Sequence, residues 1–410
     1  MIMLLKYLSY FNIQQRTLQM LSKQISKISK TVKKKKFTFT KTTKNIKDQK
    51  KESEYVLLPK WSIKQLETCY AIAINNINTL CIVAMCSIIK IIQLPYIQSK
   101  SNYELLENKP ECIQLQILEG IHTNIVSTLN FMQNTENYDK FISGSFDGRI
   151  VIWSPHKLVE SQIQQKQWSA QFILLGHASY VNCLILQNDE SFISGSSDKT
   201  IKVWKYHKMK NEWSCTQTIC EHTDIVLGLS ISEDNKQLIS CGGEKKIIIM
   251  KSTSNGKFQL CQKIQVDVGG SRIIFITNEL FMFLQESSTH LHIYKATRKG
   301  IYERYQEFPV SGGEQNCDYY FPALYIKPQN LLVLKNGRCV NLINISINLN
   351  NLGQLIQCNL EQVIMFGKLE VLGTYGTMSN NGKLLVTWNS TSNQIQFRIL
   401  KYWNEKNQNI

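Results

Sequence analysis

Residues 142–153 read ISGSFDGRIVIW and residues 193–204 read ISGSSDKTIKVW, one phrase written twice at an interval of 51 positions. Each copy carries the same companion upstream, LEGIHTNIVSTLNF at 118–131 and LLGHASYVNCLIL at 174–186. A third, more diverged copy follows as CEHTDIVLGLSIS (220–232) and LISCGGEKKIIIM (238–250). Self-similarity at a fixed period means one supersecondary unit used repeatedly, so it decides the architecture before any local feature does.

Within a repeat the apolar runs are short. VNCLIL (181–186), SFISGSS (191–197) and TIKVWKY (200–206) are rich in β-branched and aromatic residues and separated by polar turns, which is the pattern of strands. AQFILLGH (170–177) supplies a fourth run, and no helical periodicity lies between units. Four strands per repeat make a propeller blade.

At this point the residues resemble the WD40 repeat family, whose blades carry Gly-His before the first strand and close the third with Trp-Asp. Gly176-His177, Asp198 and Trp204 fit that pattern, with Lys205 in place of the last Asp. The resemblance implies a structural tetrad of His177, Ser194 or Ser196, Asp198 and Trp204. Its physical basis stands alone: a buried carboxylate is costly unless paired, and imidazole and indole N–H groups can supply donors. The first copy offers His122, Asp147 and Trp153, with Ile121 inserted between Gly120 and the His, which predicts a bulge. The third offers His222, but Glu221, Glu244 and Met250 stand at the Gly, Asp and Trp positions, so its chain of hydrogen bonds is expected to be broken.

Weaker units continue the period. Third strands are expected to end near Tyr294, Leu342 and Phe397, and near Ile91 at the front, which with Trp153, Trp204 and Met250 makes seven. The expected fold class is therefore an all-β, seven-bladed WD40-type β-propeller at 53–410, with six or eight blades as alternatives, preceded by a basic, partly helical tail at 1–52. YVLLPKW (55–61) has the character of an outer strand, so the chain start can complete the last blade and close the ring.

The charge agrees with this division. The net +16 belongs mainly to residues 1–50, which carry +12, and the other 360 residues carry only +4. In the tail, Leu4, Leu8, Phe11, Leu18, Leu21, Ile25, Ile28 and Val32 share one face of an amphipathic helix, followed by the Lys-rich VKKKKFTFTKTTKNIKDQKKE. Four readings of the tail stay open: self-association through the helix as a short coiled coil, binding to an acidic surface of lipid or nucleic acid, a mitochondrial presequence, or a solvated tail without a partner. The twelve cysteines show no CxxC and no zinc-like spacing, which suits reduced thiols in a cytoplasmic or nuclear protein. The apolar window TLCIVAMCSIIKIIQL (79–94) contains Lys90 and reads as two buried strands meeting at Cys86-Ser87.

No phosphate loop, nucleophile elbow, HExxH or kinase signature occurs in the sequence. No catalytic residue, cofactor, metal ion or small-molecule substrate is therefore expected, and the three repeat histidines are assigned to structure. His290 and His292 read as surface residues, and Trp168 and Trp213, each nine residues before its His, as equivalent packing residues on outer strands. What the resemblance implies is a non-catalytic scaffold or adaptor for other proteins. The alternatives are a propeller recruited to an acidic surface by its tail, or a substrate receptor of a ubiquitin ligase. In the family resembled, the residue before the turn Asp and the residue opening the first strand face a partner. Carried onto these repeats, that rule selects Phe146, Ser197, Ile125, Tyr180 and Ile225 as the candidate partner-binding face, with Arg272 as an outlying member.

Overall fold

The computed structural model describes residues 53–95, 111–132, 139–157, 166–188, 190–313, 320–350, 353–367 and 373–402. The tail, with its expected helix and coiled coil, lies outside them.

The described residues form seven antiparallel sheets, one per blade. Blade 1 contains β3 (Cys69–Ile74), β4 (Leu80–Met85), β5 (Ile88–Gln93) and β6 (Ile113–Leu118). Blade 2 contains β7 (Val126–Phe131), β8 (Phe141–Ser145), β9 (Ile150–Lys157) and β10 (Lys166–Leu174). Blade 3 contains β11 (Val181–Asn188), β12 (Ser191–Ser196), β13 (Ile201–His207) and β14 (Glu212–Ile219). Blade 4 contains β15 (Val226–Ile231), β16 (Gln237–Gly242), β17 (Lys246–Ser252) and β18 (Phe258–Gln265). Blade 5 contains β19 (Arg272–Thr277), β20 (Leu280–Leu284), β21 (His290–Ala296) and β22 (Tyr302–Pro309). Blade 6 contains β23 (Leu324–Ile326), β24 (Leu331–Asn336), β25 (Cys339–Asn350) and β26 (Gly353–Met365). Blade 7 contains β27 (Thr374–Met378), β28 (Leu384–Asn389) and β29 (Gln394–Tyr402), completed by β1 (Ser53–Leu57).

The closing strand lies where the YVLLPKW run leads one to expect it. β1 pairs with β29 from Ser53↔Tyr402 to Leu57↔Arg398, and β2 (Ile63–Lys64) pairs with the other end of β29. The apolar window at 79–94 is the β4–β5 hairpin, tight because Cys86 takes a positive φ of 49° between Met85 and Ile88. Among the described residues no helix is long and apolar enough to cross a membrane.

Seven apolar clusters hold the sheets together, and each lies between two consecutive blades. Ile193, Ile201 and Val203 of blade 3 pack against Val226, Leu238, Ile248 and Met250 of blade 4, and the pattern recurs around the ring. The circle closes where Trp388 and Phe397 of blade 7 meet Cys69, Cys81 and Val83 of blade 1, with Leu58 and Trp61 sealed between them. Trp61 is fully buried, its ring edge-on to Phe397 at 6.2 Å. Burial of side chains this large contributes about 1.5–3 kcal/mol each.

A second device ties the outer strands. Gln116 donates from Nε2 to the Trp168 carbonyl at 2.9 Å while its Oε1 accepts from the Trp168 N–H at 2.7 Å, so one side-chain amide pairs with the next blade's backbone. The same pairing joins Gln217 to Phe258, Gln262 to Tyr302 and Gln362 to Tyr55. Each of these glutamines sits where the outer strand slips register by one residue against its neighbour. Such a bulge re-aims a side chain, here toward the adjacent blade. Gln306 occupies the same register position in blade 5 but is exposed, and in blade 2 the position is Phe172.

Two outcomes are expected from unfolding measurements. Deletion of residues 1–50 should leave a cooperative transition, whereas deletion through residue 62 removes β1 and Trp61 and should abolish it. Gln262→Ala should lower stability by about 1–3 kcal/mol by stripping two partners from the Tyr302 backbone, and Gln306→Ala should cost less than about 0.5 kcal/mol.

Candidate protein-interaction face

The loops at one end of the ring are set by the tetrads. In blade 3, His177 Nδ1 lies 2.8 Å from Asp198 Oδ2 and its Nε2 lies 2.7 Å from Ser194 Oγ, which also accepts from Trp204 Nε1 at 2.9 Å. With Nδ1–H donating to the carboxylate, Nε2 accepts from the serine hydroxyl, and the hydroxyl accepts from the indole, so every group is satisfied by a neutral imidazole. Ser194 rather than Ser196 is therefore the serine of the chain. Ser196 Oγ instead accepts from the Asp198 N–H at 3.0 Å and holds the turn. Blade 2 repeats the arrangement with His122, Ser143, Asp147 and Trp153 at 2.7–3.1 Å.

Two expectations need correction. Ile121 makes no strand bulge: Gly120 takes φ 79° in the loop between β6 and β7 and absorbs the extra residue there. The blade 4 chain, expected to be broken, is broken only at its indole link. His222 Nε2 lies 2.7 Å from Ser240 Oγ, its Nδ1 faces the Glu244 carboxylate, and Glu244 also accepts from the Thr223 N–H at 2.6 Å. The longer glutamate reaches the position of the aspartate, and only the indole link is lost at Met250, which has no N–H to donate.

The charges follow the geometry. Burial alone would raise the Asp198 carboxyl, but hydrogen bonds from Thr200, His177 and Ala178 outweigh it and bring it down to about 2; Asp147 is likewise lowered to about 2. Burial pushes His177 and His222 below the ordinary imidazole value against the pull of their acidic partners.

In blade 5 Phe283 and Tyr294 stand at the places of the tetrad Ser and Trp, inferred from the matching strand registers. A cleft of about 360 Å³ opens beside Tyr294, Gln285 and Asp267. His292 is not a surface residue: it is buried, with Arg304 donating to its Nε2 at 2.8 Å, while His290 is exposed. Arg272 is buried at the start of β19 and does not extend the exposed face. Trp168 and Trp213 occupy matching positions on β10 and β14, two residues before Ala170 and Cys215, the partners of Trp153 and Trp204.

The structure brings the candidate face residues together pair by pair. Phe146 N–H donates to the Ile125 carbonyl and Ser197 N–H to the Tyr180 carbonyl, both at 2.8 Å, and Gly243 N–H donates to the Ile225 carbonyl at 3.1 Å. Turn residue and strand-opening residue are thus backbone partners in three successive blades. The Phe146 and Tyr180 rings stack across the blade boundary with centroids 4.1 Å apart and planes 6° off parallel, and Tyr180 keeps 43% of its surface exposed. Ile125, Phe146 and Ile225 are half-buried, and Ser197 accepts from Asn182 Nδ2 at 2.9 Å.

One contributor was not legible in the repeats. Tyr320, just ahead of blade 6, places its ring 6.1 Å from Phe146 in blade 2, 5.6 Å from Tyr70 in blade 1 and 5.8 Å from Tyr375 in blade 7. Rings from non-adjacent parts of the circle therefore continue the Phe146–Tyr180 stack. Tyr320 lies in a connection with no repeat motif, so no periodic signal points to it.

The fold is a seven-bladed β-propeller of the WD40 type, and the chain resembles WD40 repeat proteins in sequence over part of its length. The family description that matches is the second β-propeller of WD repeat-containing protein 75, over residues 107–248, the region that holds the tetrads. Ribosome biogenesis protein YTM1 of Coccidioides immitis (strain RS) is 27% identical over 92 residues, which is 22% of this chain and 18% of that protein. A chain in the crystal structure of a mitotic checkpoint complex superposes with a TM-score of 0.60 at 16% identity, over 87% of this chain and 95% of that one. At that identity the superposition speaks for the fold alone.

Two measurements test the WD40 tetrads. Asp198→Ala should cost about 1–3 kcal/mol, and Glu244→Ala a comparable amount, because each strands a buried imidazole N–H and a loop N–H. A folded-state carboxyl below its ordinary value supports stability above that value and loses it in acid. An imidazole held below its ordinary value loses stability as pH falls through that value, so the unfolding midpoint should fall below about pH 6.5, where His177 and His222 resist protonation, and again between about 4 and 2 as Asp147 and Asp198 protonate. Asp198→Asn should flatten the second fall in a pH series of thermal melts.

Proposed function

We propose that this propeller is a non-catalytic protein-interaction scaffold within a larger complex, and that partners seat on the face centred on Phe146 and Tyr180. The observation that carries the reading is the stacked, part-exposed ring pair at the turn and strand-start positions of blades 2 and 3. Aromatic rings held rigid offer apolar contact area at small entropic cost, which is why they dominate binding hot spots. The backbone bonds beneath them fix their placement whatever the partner. Likeness to WD repeat-containing protein 75 and to a ribosome biogenesis protein supports a role inside an assembly. A cytoplasmic or nuclear location belongs to the same proposal, and the eleven described cysteines, all free thiols, are consistent with it.

The test is the double variant Phe146→Ala, Tyr180→Ala. It should still melt cooperatively, lowered only by the loss of one stacked ring pair (about 0.5–1.5 kcal/mol), since neither ring belongs to the seven apolar clusters, and it should lose the proteins that co-purify with the wild type. Retention of those proteins would place the interaction elsewhere.

A further inference from the structure

Blade 6 differs from the others in one element. In blades 3, 4 and 5 the third and fourth strands pair over seven residues, but β25 and β26 pair over twelve, from Cys339↔Met365 to Asn350↔Gly353. β24 follows β25 only as far as Leu331↔Asn344, and one further bond, Ile345 N–H to the Asn330 carbonyl at 2.8 Å, ends the contact. Beyond it no described strand runs along β25. Residues 346–350 and their partners therefore form a two-stranded arm that overhangs the blade by about 17 Å at ~3.4 Å per residue.

The arm is anchored. Ile345 and Ile356 are buried in the cluster shared by blades 5 and 6, and Ile347 and Cys358 pack against it. The opposite face carries Ser346, Asn348, Gln357 and Asn359. Because the Ile345 N–H points away from β26, strand alternation sends the N–H and C=O of Ile347 and Leu349 the same way, onto the edge that no described strand pairs with. Exposed edges are usually blunted by charges or proline. The outer strands of blades 3, 4 and 5 carry such groups, for example Glu212, Lys263, and Glu303 and Arg304, whereas residues 339–360 contain no charged side chain.

The geometry points to the β25 edge of this arm as a self-association site that pairs antiparallel with the same edge of a second copy about a twofold axis. A second copy is the occupant this edge suits. Like meets like without charge repulsion, and the serine and asparagine side chains both donate and accept, so they complement themselves. A twofold axis sets residue i opposite j in both directions, so one strand serves as both halves of the ladder. The 360 residues beyond the tail carry a net charge of only +4, and an uncharged segment adds no repulsion of its own to the approach of a second copy.

Sedimentation equilibrium of the full chain should show a concentration-dependent monomer–dimer equilibrium. Leu349→Pro removes an edge N–H from each copy while sparing the bonds to β26, and Asn348→Lys places like charges across the axis. Each should weaken the dimer about tenfold or more, with an unchanged thermal midpoint. A chain that stays monomeric at every concentration, or a dimer that survives both variants, would overturn the proposal. So would a dimer abolished only by polar substitutions at Leu18, Leu21 and Ile25, which would assign self-association to the tail.

Discussion

Each blade of this molecule buries apolar side chains on both faces of its sheet, and such a sheet is stable only when both faces are covered. β4 shows the extreme: all six residues of LCIVAM are buried, alternate ones packing against blade 2 and blade 7. A row of sheets would always leave two bare ends. The ring removes them, and it closes because β1, the first described strand, completes the last sheet. Tyr55 is bonded through its backbone to Gln362, 307 residues away, and Trp388 donates its indole N–H to the Gln65 carbonyl at 2.9 Å. The other interfaces keep their geometry because that one is made.

Inside this circle the blades are fixed by two different polar devices. The tetrad works at the loop end of a blade, linking the turn between the second and third strands to the loop that enters the first. The glutamine clamp works at the rim, linking one outer strand to the next. The two are not always found together: the boundary between blades 2 and 3, flanked by complete tetrads on both sides, has Phe172 where four other boundaries have a clamping glutamine. There the ring packs within the apolar cluster that Trp204 and Trp213 share, and dispersion replaces the amide pair.

The proposed face rests on this rigidity. The residues that face outward beside each tetrad are held by backbone hydrogen bonds that do not depend on their side chains, so their identities are free to carry recognition. In blades 2 and 3 those identities are Phe146 and Tyr180, which stack on each other, and Tyr320 extends the same surface from another part of the circle.

The repeat phrase, the four-strand period and the positions of the seven third strands could be read without coordinates, because strand alternation, turn chemistry and the tetrad partners all lie within one repeat. The closing strand was legible too, since 55–61 has outer-strand character and no sheet of its own. Other features were decided only by the folded ring. Glu244 accepts from the Thr223 N–H and faces His222 from the place of an aspartate, a matter of ångströms that residue type does not disclose. His292 reads as surface from its strand pattern, yet Arg304 covers it from the neighbouring strand. The glutamine clamps and the ring contacts of Tyr320 join different blades. Such contacts have no fixed spacing in the chain, because the distance between their partners is set by how the circle closes and not by the period of the repeat.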